Sequence, residues 1–209
     1  MDFFSNPKKH AHPKAKRLMK DDFFWSPIDE AGPFGSDSGS DAAEGFNQWR
    51  KKNQSAAPVQ YLNDLLISWG FPLFDWNELD PAKIQEYIQL KANIDDMAQH
   101  IGHLKEALAN SPAELDNDVT DQTLQDLILK SAEGMGGVYL LQIDNAIIGT
   151  GFAQFVIEGK LDDTLQYLTY TALKRQLLPI LIDRYHEANK ETREQVLRKM
   201  LHVIENANL

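Results

Sequence analysis

The residues best suited to chemistry crowd into one short stretch. Within HPKAKRLMKDDFFWSPIDEAGPFGSDSGSDAAEGFNQWR the chain places His12, Trp25, Asp29, Glu30, Phe34, Asp37, Asp41, Trp49 and Arg50. One histidine and four acids beside an aromatic wall could do general acid–base work, provided that burial and a partner set their proton affinities apart. They could also hold a cation. Asp37-x-Gly39-x-Asp41 opens like a calcium loop, but an EF-hand counted from Asp37 needs glycine at its sixth position and glutamate at its twelfth. This chain has Ala42 and Gln48 there. A looser cation site on Asp37, Asp41 and Glu44 survives that test, and no firm metal site does. A phosphate cradle is disfavoured because an aspartate at the start of the next helix repels an anion. The plain alternative is structural. Glycines make a turn, Asp41 caps a helix with Glu44 as its capping-box partner, and Phe23, Phe24 and Trp25 pin the loop to the body.

Other chemistry-bearing groups are sparser. His10-x-His12 lies in a basic arm, and His12 could fold back onto Asp29 and Glu30. His100-x-x-His103 has the helical spacing for a shared metal, yet a solvated helix face explains it more simply. Asp144-Asn145 interrupts the most apolar segment. A buried carboxylate there needs a partner, and Arg175 or Arg184 could provide an ion pair. No serine elbow, P-loop, HExxH or dinucleotide fingerprint occurs. No cofactor is read from the sequence.

These groups must be positioned mostly by helices. Pro13 opens a short helix over 12–20, and 21–39 reads as an irregular connection. A helix runs from about Asp41 to Lys52, and another from Pro58 to a stop at Gly70. The latter turns Leu62, Leu65, Leu66 and Trp69 to one side. Asp80-Pro81 opens the longest helix, to about Ala109. Along it Tyr87, Leu90, Ile94, Met97, Ile101, Leu104 and Leu108 form a heptad seam. Ser111 to Glu114 reads as a capping box. A helix over 120–133 turns Leu124, Leu127, Ile128 and Ala132 inward. Residues 138–159 are apolar all round, which suits the centre of a bundle, with a break expected near Gly149–Gly151. Asp162 caps a helix running to about His186, kinked at Pro179, and a last helix covers 190–206. The fold expected is all-α: a single helical bundle-like domain of about eight helices over 41–209, with an irregular N-terminal arm over 1–40 that carries one short helix and docks on the body.

Composition narrows the function classes. The chain has 209 residues, a net charge of −10 and no cysteine. A disulfide framework, a thiolate metal site and a cysteine nucleophile are therefore excluded. Residues 1–20 carry a net charge of +5 and the rest carries −15. An acidic body argues against nucleic acid as a partner. The basic arm more readily docks on that body. The apolar stretch over 138–157 contains Gln142, Asp144, Asn145 and Gln154, too polar for a membrane span. No apolar secretory leader is read at the start, so a cytoplasmic location is expected.

Residues 12–50 resemble the start of a bacterial YfeS-like group of proteins. The shared pattern is a His-Pro start, an aromatic-Trp segment, an acidic pair, Gly-Ser-Asp-x-Gly-x-Asp and a Trp-Arg. The positions carrying it are His12, Pro13, Trp25, Asp29, Glu30, Phe34, Gly35, Ser36, Asp37, Gly39, Asp41, Trp49 and Arg50. AIIGTGFAQFVIEG, positions 146–159, is also similar. The resemblance covers about a quarter of the chain and implies a bacterial setting but no activity. By analogy it adds weight to an immunity- or antitoxin-like class of small acidic helical proteins. Three functions are carried forward. The first is an acidic module that docks a protein partner. The second is a metal-dependent or carboxylate-based hydrolase, with its site where the 25–50 segment meets the helical body. The third is a structural homodimer through the helix at 81–109.

Overall fold

The computed structural model describes residues 7–94, 97–109 and 120–209, and every structural statement refers to those. They form eleven α-helices and no strand. In chain order these are α1 (Pro7–His10), α2 (Pro13–Leu18), α3 (Asp37–Lys52), α4 (Pro58–Ser68), α5 (Pro81–Ile88), α6 (Met97–Ala109), α7 (Asp121–Ala132), α8 (Met135–Glu158), α9 (Asp163–Gln176), α10 (Pro179–Ile182) and α11 (Glu187–Asn206). A single 3-10 turn, Asp22–Trp25, lies between α2 and α3. The capping box at Ser111–Glu114 and the side chains of His100 and Leu108 fall outside the described residues.

The core is built around α8. Its 24 residues are buried on nearly every side, Leu140, Ile147, Phe152 and Phe155 almost completely. By length and composition this helix could cross a membrane, but 78% of its most apolar window is covered by the surrounding helices. Helices α2, α3, α4, α5 and α9 all pack against it, and α11 closes the outside over α9. The anticipated break at Gly149–Gly151 does not occur; the helix runs through to Gly159, whose φ of 68° ends it in the left-handed conformation glycine favours.

The glycines serve packing instead. Helix α3 lies along α8 more extensively than any other pair. At the crossing Gly149 meets Gly39, and a Cβ on Gly149 would fall 2.9 Å from the Gly39 Cα. Fully buried Ala42, Ala43, Ala146 and Ala153 continue this small-residue contact. Gly39 can face α8 only if α3 has begun before it, which moves the helix start. Ser36 is the N-cap, its Oγ accepting from the Gly39 N–H at 3.2 Å, and the helix opens at Asp37. The expected Asp41 cap is thus corrected: Asp41 sits in the second turn and is exposed.

Three further expectations are corrected. The helix over 81–109 is two helices. After α5 the chain leaves the helical path, Leu90 O accepting from Gly136 N at 3.0 Å and Ala92 N donating to Ala132 O at 3.0 Å. These bonds to the α7–α8 corner replace helix bonds, so the heptad spacing of Tyr87 to Leu108 forms no continuous seam. The helix capped by Asp162 ends at Gln176 rather than bending at Pro179, because Pro179 instead opens the separate turn α10. Leu127 is 55% exposed, whereas Leu124, Ile128 and Ala132 face inward as their spacing requires.

The basic arm docks on the body mainly by burial. Pro7, Ala11, Ala15 and Met19 repeat at helical spacing and are buried, and His12 N donates to Val156 O at 2.8 Å. Lys8 adds an exposed ion pair with Asp22, of the kind worth little in water.

Candidate functional site

The chemistry-bearing residues of 12–50 are not brought together. His12 does not reach Asp29 or Glu30. Its ring lies over Gly159, where glycine leaves room, and its Nδ1 accepts from Lys14 N at 3.2 Å as the cap of α2. Asp29 closes a local turn, Oδ1 accepting from Ala31 N at 3.1 Å. Glu30, Asp37 and Asp41 are exposed. Asp37 sits in the first turn of α3, where a carboxylate is favoured by the helix dipole. Among the described residues no three His, Asp or Glu side chains are placed to hold a metal. Gly35 is required by close approach, since a Cβ there would overlap the Asp29 carbonyl.

The aromatic and cationic members of the cluster are anchors. Trp25 is 7% exposed and donates from Nε1 to Met19 O at 2.9 Å. Phe34 is buried, and Phe24 packs on Phe152 of α8. Trp49 stacks on Phe46, and the Arg50 guanidinium lies over both rings. Arg50 then bolts the end of α3 to the end of α8: Nε pairs with Glu158 Oε1 at 2.5 Å, and an Nη donates to the carbonyls of Asn53 and Ala56.

The structure converges on polar groups elsewhere. Asp144 on α8 is fully buried and pairs with Arg175 of α9, itself fully buried, at 2.5 Å. Burial pushes the Asp144 carboxyl above the ordinary carboxylate range, and the Arg175 guanidinium pulls it back. The other Nη of Arg175 donates to the carbonyls of Trp76 at 2.9 Å and Glu78 at 2.8 Å. Its guanidinium also lies 5.0 Å from the centre of the Phe74 ring. Behind this pair, Gln176 accepts a short hydrogen bond from Arg193 and donates to Asn145 Oδ1. Arg193 also reaches the carbonyl of Ala31.

The consequence is a rigidly held loop. Residues 71–80 have no regular secondary structure. They are tied by Arg175, by the Tyr87 hydroxyl donating to Pro72 O at 2.8 Å, and by ring contacts Phe71–Tyr139 and Phe74–Tyr87. What the loop presents is apolar. Leu73 is 97% exposed, and Ile67 on the preceding helix is 65% exposed. Leu73 stands on the ridge between two grooves of about 470 and 420 Å³. Asp75 borders both grooves, and Glu78 and Glu86 border the second. Asp64 lies one turn before Ile67 on α4. Glu78 pairs with Lys83, whereas Asp64, Asp75 and Glu86 make no ion pair among the described residues.

The Asp144–Arg175 pair was one of two readings the sequence allowed. The exposed face at Ile67 and Leu73 was not singled out. The density of aromatics in WGFPLFDW was the signal available for it, but aromatic density marks a core as readily as a surface. Comparison with known protein families, curated proteins and solved structures finds no match to this chain.

Proposed function

We propose that this chain is a protein-docking module that uses the Leu73–Ile67 face to seat a partner carrying an apolar side chain flanked by lysines or arginines. The observation that carries this reading is Leu73, almost wholly in solvent at the crest of a loop anchored by a buried arginine. Isolated exposed leucines are ordinary. An exposed leucine beside an exposed isoleucine, above two grooves and on an immobilised loop, has the anatomy of an interface hot spot. The acids around it suit a basic partner and would speed encounter. An immunity- or antitoxin-like role falls within this class.

The hydrolase reading finds no support in the positions of His12, Asp29, Glu30, Asp37 and Asp41, which occupy separate local environments. The homodimer reading loses its continuous 81–109 helix, although a second copy of the chain remains an occupant that the test can detect. The test is affinity capture from the native cell with the wild-type chain and with Leu73→Asp and Ile67→Asp variants. The reading expects a partner with a basic surface, retained by wild type, lost from both variants and released by salt. Equal retention on the variants, or self-association unaffected by them, contradicts it.

A further inference from the structure

A separate cavity of about 230 Å³ opens against the N-terminal half of α8. Its walls are apolar: Val138, Leu140 and Leu141 from α8, and Leu181 from α10. Its polar lining includes Gln176, Arg184 and Tyr185, with the nearly inaccessible Asp144 behind. The Gln176 amide already accepts from Arg193 and donates to Asn145. The Arg184 guanidinium is different. It lies over Gly137, at the position a Cβ would take, and has no acceptor among the described residues. The Tyr185 hydroxyl also has no partner there, while its ring is backed by the Arg193 guanidinium at 5.7 Å.

The charge around the cavity runs against that of the chain. Arg175 and Arg193 act on the one carboxylate at its back, Asp144, and Arg184 lines the same cavity, in a protein of net charge −10. The exposed acids nearest in sequence, Asp183 and Glu187, are both taken up by Lys190. An apolar floor with an unused guanidinium and phenol at its mouth is complementary to an amphiphile with one anionic head. A guanidinium matches a carboxylate in two parallel hydrogen bonds. A small dianion such as phosphate would leave the apolar walls without a function.

We infer that this cavity binds a small organic carboxylate, its aliphatic or aryl body against Val138, Leu141 and Leu181 and its head on Arg184 and Tyr185. The test is titration of the full chain with sodium hexanoate and sodium phenylacetate, followed by calorimetry and by backbone amide NMR. At least one acid is expected to saturate, moving the Gly137, Val138 and Arg184 resonances first. Arg184→Gln should weaken binding by about tenfold or more, the order lost with a charge-assisted hydrogen bond, and Arg184→Lys should restore part of it. Val138→Trp, which fills the cavity while leaving Arg184 in place, should abolish binding. Hexanamide, hexylamine and inorganic phosphate should fail to bind. The inference is overturned if neither acid saturates, if hexanamide binds as well as hexanoate, if Arg184→Gln or Val138→Trp binds like wild type, or if the shifts map elsewhere.

Discussion

Asp144 and Arg175 form a buried ion pair whose cation also holds a surface loop from beneath. Their shortest contact is 2.5 Å, and the same guanidinium donates to the carbonyls of Trp76 and Glu78. Withdrawing two charges from water is costly, and such a pair contributes little net stability compared with apolar residues of the same shape. What it adds here is placement: two loop carbonyls that would otherwise lack partners are satisfied, and Leu73 is presented in one position. The same carboxylate borders the Arg184 cavity.

Breaking the pair on one side should be severe. Arg175→Met takes from buried Asp144 its hydrogen-bonded ion-pair partner, leaving only the more distant Arg193 charge, and should cost about 3–5 kcal/mol, measured by urea unfolding. The double variant Asp144→Leu/Arg175→Met should recover part of that loss but not all. The Trp76 and Glu78 carbonyls, on half-buried residues, lose their donor, at about 0.5–1.5 kcal/mol for a net hydrogen bond. Full recovery would show that the loop bonds contribute nothing.

The helix crossing makes a contrast between two glycines. Gly149→Ala pushes a methyl into the backbone of Gly39 and should destabilise by about 1–3 kcal/mol. Gly102 in α6 has nothing within 4 Å. Gly102→Ala should therefore stabilise by about 0.5–1 kcal/mol through helix propensity. Equal effects in thermal or urea unfolding would refute the close-approach account.

Tyr87 gives a test in alkali. Burial raises its phenol to about 12, with Tyr139 adding to the shift. The unfolded chain loses this proton first, near the ordinary value of about 10. Between those two values the folded state holds the extra proton, so the Tyr87 contribution to stability falls as pH rises and levels off above 12. In ultraviolet titration, Tyr87→Phe should remove one phenolate's worth of the absorbance that appears near the upper value, and it should lessen the fall in stability across the window, the buried Tyr61 phenol, also shifted up, supplying the rest.

Leu73 should not matter for folding. Leu73→Asp is expected to stay within about 0.5 kcal/mol of wild type. Leu62→Ala, in the fully buried core, should cost about 2–5 kcal/mol. A large loss from Leu73→Asp would make Leu73 a packing residue.

The helix ends were legible where one residue decides them. Pro58, Asp80-Pro81, Asp162 and the glycines at 70 and 159 stand at the boundaries their chemistry predicts. The errors arose where tertiary contact overruled a good local signal. Asp41 is as competent a cap as Ser36, but the helix must start early enough for Gly39 to meet Gly149. The seam from Tyr87 to Leu108 has the spacing of one long helix, yet Leu90 and Ala92 find backbone partners at the α7–α8 corner. The cluster at 12–50 misled for the same reason. Trp25, Phe34 and Arg50 are held in place by α8 and by neighbouring carbonyls, which no spacing rule reveals. Arg175 in the sequence is one of six arginines, and only its burial marks it as the anchor of a loop about a hundred residues away in sequence.

The docking face itself is tested most directly by photo-crosslinking. A photoreactive aromatic residue would replace Leu73 in the full chain, with the same residue at Tyr167, 58% exposed, as the control. Irradiation in the native cell should give a discrete adduct from position 73, absent from position 167, lost when Ile67→Asp is added and diminished by salt in extracts. Adducts no stronger or more specific at 73 than at 167, or undiminished by Ile67→Asp, would contradict the assignment of this face as a docking surface.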